Sequence, residues 1–192
     1  MIDSISPIKA RLRSDLRRLL KQIGPEERTD ASRRLCLRLP QTDMWLKAGR
    51  IFLFAPIVTE PDIWPLAELA IAQHKVVALP RFKSSEPGYE AARIDNVRHD
   101  LALGHGGIRE PAPACRAWPL NELDLVLVPA LGLDPGGHRL GRGKGYYDRL
   151  LAATSGVKCG IVFDSQVLPA IPAAPHDIKL DCILTPTRWF VC

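Results

Sequence analysis

The sequence predicts an α/β domain built on a sheet covered on both faces. Three observations point there. Short apolar runs of strand type alternate with helical patterns. The runs are apolar throughout, without polar alternation, as in strands buried on both sides. The clearest run, Leu125-Val-Leu-Val128, feeds directly into a long glycine-rich loop. In open α/β sheets, ligands sit at the carboxyl ends of strands, where such loops begin.

The elements follow in order. Ser6 and Pro7 suit the N-cap and first position of a helix. Ile8, Leu12, Leu16, Leu19, Leu20 and Ile23 then recur at helical spacing until Gly24-Pro25. A second helix is expected from about Glu26 to Leu39. Ile51 to Ala55 reads as a strand, Ile63 to His74 as a helix and Val76 to Leu79 as the next strand, which makes one βαβ unit. Residues 81–113 are rich in Gly, Pro and charge, and are expected to form loops with one or two short strands. After Leu125–Val128 and the glycine loop, a helix is expected from about Gly145 to Thr154. Cys159 to Phe163 and Cys182 to Thr185 read as later strands.

The 192 residues suit one domain spanning 1–192, with enough length for a core. Apolar residues make up 46% and charged residues 24%, an ordinary globular balance that argues against disorder. The net charge of +5 suits an anionic ligand and also a weak nucleic-acid binder. Aromatics are only 6%, with no basic stripe of interleaved aromatics, so nucleic acid is not expected as a partner. The five cysteines are scattered, odd in number and without Cys-x-x-Cys, which reads as reduced thiols in a cytoplasmic protein. The apolar run Ile51–Val58 is too short to span a bilayer, and no signal-peptide core is visible.

Chemistry concentrates in Arg139-Leu-Gly-Arg-Gly-Lys-Gly-Tyr-Tyr-Asp148. Gly136, Gly137, Gly141, Gly143 and Gly145 leave backbone N–H groups open to a ligand, and successive N–H groups form anion-binding nests. Arg139, Arg142 and Lys144 add charge, Arg in the planar form that matches phosphate. Neither standard nucleotide motif fits. His138 stands where a Walker A loop needs Gly, and Gly follows Lys144 in place of Ser or Thr. The spacing Gly141-x-Gly143-x-Gly145 is not the dinucleotide fingerprint. The segment is therefore either a phosphate loop of another kind or a charged surface loop. Asp148 is either a carboxylate stabilising a helix N-terminus or a magnesium ligand beside phosphate. Tyr147 shares a face with Leu150 and Leu151, whereas Tyr146 points elsewhere and could touch a ligand.

Lys9 and Arg13 lie four apart on one helix face, as a solvated pair or as anion contacts. Glu60 lies close after the Ile51–Ala55 strand and could start a helix or read a ligand. Arg81 ends the following strand and could hold an anion. Gly107 to Pro111 is loop-like with mixed charge. His176-Asp177 is a turn or a second carboxylate near a metal. No spacing suggests a Ser-His-Asp or Cys-His arrangement.

Taken together, these segments resemble the 5-formyltetrahydrofolate cyclo-ligase family, also called 5,10-methenyltetrahydrofolate synthetase, over nearly the whole chain. The resemblance rests on Lys9-Ala-Arg-Leu-Arg13, Glu60-Pro-Asp62, Leu79-Pro-Arg81, Gly107-Ile-Arg-Glu-Pro111, Asp124 to Pro129, Arg139 to Arg149, Gln166 and His176-Asp177. Leu133 departs from a frequent Phe, and Lys144 from a frequent Gly.

The resemblance implies a single three-layer α/β/α domain with a mostly parallel central sheet. It implies an ATP- and magnesium-dependent closure of 5-formyltetrahydrofolate to 5,10-methenyltetrahydrofolate, with ADP and phosphate released. The alternative is a non-catalytic folate- or nucleotide-binding relative of the same fold. By matching position, Lys9, Arg13, Arg139, Leu140, Gly141, Arg142, Gly143, Lys144, Gly145, Tyr146 and Tyr147 are expected to hold ATP. Arg13, Ala55, Glu60, Arg142, Gly143, Lys144, Gly145 and Tyr146 are expected to face the folate. Arg142 and Lys144 are expected to be catalytic, and Asp148 and Asp177 to hold magnesium. A cytoplasmic monomer acting on small molecules, without membrane or nucleic acid, completes the expectation.

Overall fold

The computed structural model describes residues 2–175 and 177–192, the first four of them by backbone alone. In chain order the elements are α1 (Ile2–Gln22), α2 (Pro25–Arg38), α3 (Asp43–Lys47), β1 (Arg50–Phe52), α4 (Trp64–Ala72), β2 (Val76–Lys83) and β3 (Gly88–Ile94). They continue as β4 (Leu101–Leu103), β5 (Arg109–Pro111), β6 (Ala117–Trp118), β7 (Leu125–Pro129), β8 (Gly132–Leu133) and β9 (Arg139–Leu140). The last are α5 (Tyr146–Ala152), β10 (Val157–Ile161), β11 (Cys182–Leu184) and β12 (Trp189–Val191).

The main sheet has eight strands in the order β12-β11-β10-β7-β1-β2-β3-β6. The five from β11 to β2 run parallel, and β12, β3 and β6 pair antiparallel at the two ends. The fold class is therefore α/β with a mostly parallel central sheet flanked by helices, as expected. The βαβ unit is present: β1 and β2 pair parallel, joined through α4.

Side-chain alternation divides the core. Ile51, Leu125 and Leu127 face a cluster with Leu35, Trp45, Leu66 and Ala70 from α2, α3 and α4. Phe52, Val126 and Val128 face the opposite side, where Leu150 and Leu151 of α5 pack. Each fully buried Leu or Phe contributes roughly 1.5–3 kcal/mol, so both faces are strongly specified. A third cluster joins Leu16 and Leu20 of α1 to Leu131, Leu140, Phe163 and Ile171. The apolar stripe of α1 thus clamps the glycine-loop hairpin β8–β9 to the body. Ile8 belongs to the same stripe by spacing but is half exposed, because the stripe outruns its partner surface.

Several boundaries differ from expectation. Helix α1 begins at Ile2, so Ser6 is not its N-cap and Pro7 lies inside it. The region 81–113 is more ordered than its composition suggests. Strand β2 continues through Arg81 to Lys83 and pairs over seven residues with β3. Arg81 is not an anion contact at a strand end. Its guanidinium meets Glu90 at 2.8 Å and donates to the carbonyls of Ala112 and Cys115, fastening the β2–β3 hairpin to the following loop. Helix α5 has only seven residues, from Tyr146 to Ala152. Elements α3, β6 and β12 carry too little periodicity to be read from sequence.

Candidate functional site

The parallel strands change winding direction between β7 and β1. Chain order proceeds outward from β1 to β2 on one side and from β7 to β10 on the other. At such a switch point the loops splay apart and leave a crevice at the carboxyl ends. Here the crevice is a cavity of about 1040 Å³. Its floor is formed by Phe54 and Ala55 after β1, and by Pro129 and Ala130 at the end of β7.

The glycine loop closes one side. Asp134 shapes its base, accepting hydrogen bonds from the backbone N–H groups of Gly136, His138 and Ile171. Gln166, fully buried, donates to the carbonyls of Ala130 and Leu131 at 2.8 and 3.1 Å and holds the chain where it leaves β7. Gly143 (φ 105°) and Gly145 (φ 66°) adopt backbone conformations that strain other residues. They turn the loop so that Gly141, Arg142, Gly143, Lys144 and Gly145 all border the cavity. Arg13 of α1 donates from Nε to the carbonyl of Gly141 at 2.9 Å, tying helix to loop.

The cavity brings together almost every residue singled out in the sequence. Lys9 and Arg13 border it from α1, Ala55 and Glu60 from the β1 side, and Tyr146, Tyr147 and Asp148 from the start of α5. Asp177 borders it beside Lys9. Leu140 does not: its side chain is fully buried in the α1 cluster, so it supports the loop from behind. His176 lies outside the described residues.

Three carboxylates hold three cations here. Arg142 meets Glu60 at 2.9 Å, Arg139 meets Asp148 at 2.7 Å, and Lys9 pairs with Asp177. Glu60 is only 7% exposed and also accepts from the N–H of Ile57 at 3.1 Å. Burial pushes its carboxyl above the ordinary carboxylate value, outweighing the opposing pull of Arg142. Burial and the nearby Glu60 hold the Tyr147 phenol well above its usual range, so it stays neutral.

Aromatic rings border the cavity among the cations: Lys144 and Arg149 lie over the Tyr146 ring at 5.8 and 5.2 Å. Tyr89 of β3 and Tyr146 meet edge to face at 5.5 Å between centroids, and His105 stacks on Phe82 at 4.0 Å and 19°. Tyr89, His105, Glu110 and Arg17 all border the cavity, and sequence reasoning gave none of them a role. Glu110 was visible within Gly107-Ile-Arg-Glu-Pro111; Tyr89 and His105 carry no local signal. The cavity therefore combines cations suited to phosphates with aromatic rings and carboxylates suited to a flat ring bearing N–H donors.

Residues 5–186 match the profile of the 5-formyltetrahydrofolate cyclo-ligase family. The chain belongs to this family. It is therefore a ligase of one-carbon folate metabolism. A 5-formyltetrahydrofolate cyclo-ligase of Mycolicibacterium smegmatis is 47% identical over 150 residues, covering 75% of this chain and 77% of that one. One from Mus musculus is 28% identical over 197 residues, covering 94% and 95%. The NMR structure of the Aquifex aeolicus 5,10-methenyltetrahydrofolate synthetase superposes with a TM-score of 0.87 at 29% identity, over 96% of this chain and 92% of that one. The five cysteines carry no disulfide, and no described helix is long and apolar enough to cross a membrane.

Proposed function

We propose that this cyclo-ligase couples ATP cleavage to ring closure of 5-formyltetrahydrofolate, giving 5,10-methenyltetrahydrofolate, ADP and phosphate. The observation that carries this is that cations, aromatic rings and carboxylates border one cavity, at a volume near the top of the roughly 300–1,000 Å³ range of ordinary ligand sites. One cavity bordered by phosphate-type and ring-type groups suits a reaction that joins two ligands.

The chemistry needs both. A formamide is a weak electrophile, and ring closure must expel its oxygen. In the first step the formyl oxygen bonds to the terminal phosphorus of ATP and ADP departs. In the second, N10 attacks the activated carbon and gives up its proton to water, and phosphate leaves with the original formyl oxygen. The protein positions the partners and neutralises charge, as in phosphoryl transfer generally.

Roles follow from position. Lys9, Arg13 and Arg139, with the backbone of 140–147, take the ATP phosphates. Arg139 borders the cavity with Nη2 donating to Asp148. Arg142 and Lys144 stand between the two ligands and neutralise charge on the phosphoryl group in transfer. Glu60 accepts N–H donors of the pterin, against Ala55 and Tyr146. Helix α5 is too short to add much field, so side-chain charge supplies the attraction.

Magnesium fits one of the two expected carboxylates. No cluster of three His, Cys, Asp or Glu exists among the described residues, so the protein alone offers no closed cage. Magnesium is commonly held by one or two carboxylates plus phosphate and water oxygens. Asp148 borders the cavity with Oδ1 engaged by Arg139, and suits that role. Asp177 fits less well, because Lys9 and the N–H of Ala174 both engage its Oδ2. Bound there, the metal would neutralise phosphate charge.

The proposal extends to a monomer in the cytoplasm, a compartment that free thiols suit. The test is to mix protein, 5-formyltetrahydrofolate and Mg-ATP and follow methenyl absorbance and ADP. Stoichiometric appearance of both is expected. Folate binding without product would mark a non-catalytic relative.

A further inference from the structure

Among the described residues, Glu110 is the one buried acid of the cavity left without a cation. Its side chain is only 6% exposed and it borders the same cavity as Glu60. Oε2 accepts from the backbone N–H of Phe82 at 3.1 Å. Oε1 is fully buried and has no hydrogen-bond partner among the described residues. Folded proteins rarely strand a buried carboxylate oxygen, so an orphan on a residue that borders a cavity calls for a partner from outside the chain, a water or a ligand.

The fold builds this position deliberately. Strand β5 pairs with β4 through Glu110 and Ala102, which lays the side chain over the β2–β3 hairpin. Any Cβ at Gly104 would collide with the Glu110 carboxylate, so glycine there leaves it room. Around it stand Phe82, the His105 ring stacked on Phe82, and Tyr89. Tyr89 feels both Glu110 and Glu60, which raise its phenol after burial does, so its hydroxyl remains a neutral donor.

We propose that the Glu110 carboxylate accepts a hydrogen bond from an N–H of the bicyclic ring of the folate, as a second substrate-reading carboxylate beyond Glu60. ATP is the poorer occupant, since a carboxylate without a paired cation repels phosphates. This rests on the folate reading of the cavity.

The test uses the full chain with Glu110→Gln, which keeps an acceptor for the Phe82 N–H, and Glu110→Ala. The dissociation constant for 5-formyltetrahydrofolate and the KM values for folate and ATP are measured, with thermal melts to confirm folding. Loss of a hydrogen bond to a charged group predicts at least about tenfold weaker folate binding and a matching rise in folate KM. The ATP KM should stay within about twofold, because a uniform ground-state contact to one ligand leaves the other untouched. Wild-type folate affinity in Glu110→Gln, or equal losses for both ligands, would overturn the role. Absence of product from the wild type would instead strike the proposed reaction, and the binding measurement would still decide Glu110.

Discussion

Arg142 of the glycine loop reaches across the cavity to Glu60 at 2.9 Å, although 82 residues separate them in the chain. The contact joins the two sides of the site. It also means that the arginine proposed for the phosphoryl group and the carboxylate proposed for the pterin occupy each other. Each ligand must release one partner of this pair, which couples their binding.

Breaking the pair tests that coupling. Arg142→Ala leaves Glu60 buried without its cation, which costs several kcal/mol when such a charge stays ionised. Turnover should fall at least about 100-fold, in the range of lost electrostatic stabilisation. The interaction energy from a double-mutant cycle with Glu60→Gln, read in kcat/KM, should be well away from zero; additive losses would show that the two residues act independently.

The pH profile of kcat/KM for folate follows from Glu60. Its folded carboxyl titrates above the ordinary value of 4.5. The ionised form required for N–H donors is therefore lost as pH falls through a value higher than that of an exposed Glu. The acid limb should sit above the ordinary carboxylate range and disappear in Glu60→Gln. For stability the sign is opposite: the folded state holds the proton more tightly, so this group's contribution weakens as pH rises from 4.5 through the folded pKa.

Asp148→Asn removes the charge that meets Arg139 at 2.7 Å. Turnover should fall strongly, and half-saturating magnesium should rise by about tenfold or more. Outer contacts to a metal ligand alone cost about 10–100-fold. Magnesium titration of the variant checks this, and near-normal dependence would remove Asp148 from the metal.

Gly143→Ala probes the loop backbone. Its φ of 105° is strained for any L side chain, at roughly 1–3 kcal/mol. The loop is local, so the expected signature is lost ATP affinity with only a small drop in melting temperature.

Asp124 offers a stability test away from the cavity. It accepts from the N–H groups of Gly49 and Arg50 and from the Arg50 guanidinium at 2.7 Å, joining β1 to β7. The Arg50 guanidinium, with these N–H groups, holds its carboxyl below the ordinary value of 3.8. Its contribution is present above that value and is lost as pH falls through the lower folded pKa. Asp124→Asn should cost about 1–2 kcal/mol at neutral pH and flatten acid unfolding.

Much of this protein is legible locally. The apolar runs of β1, β7, β10 and β11 reveal a buried parallel sheet, since only strands covered on both faces are apolar throughout. The glycine spacing and its cations single out the loop as a candidate anion site without any partner in view. Other features exist only once the chain is folded. Strand β3 hides in a polar stretch because its pairing with β2, and not its own periodicity, orders it. Leu140 reads as part of a ligand loop, yet α1 buries it, because packing decides which face of a hairpin meets the core. Tyr89 is unremarkable in sequence, and Glu110 stands out there only as part of Gly107-Ile-Arg-Glu-Pro111. The role proposed for Glu110 depends on burial and on lacking a cation, and those are properties of three-dimensional neighbourhoods that spacing along the chain does not encode.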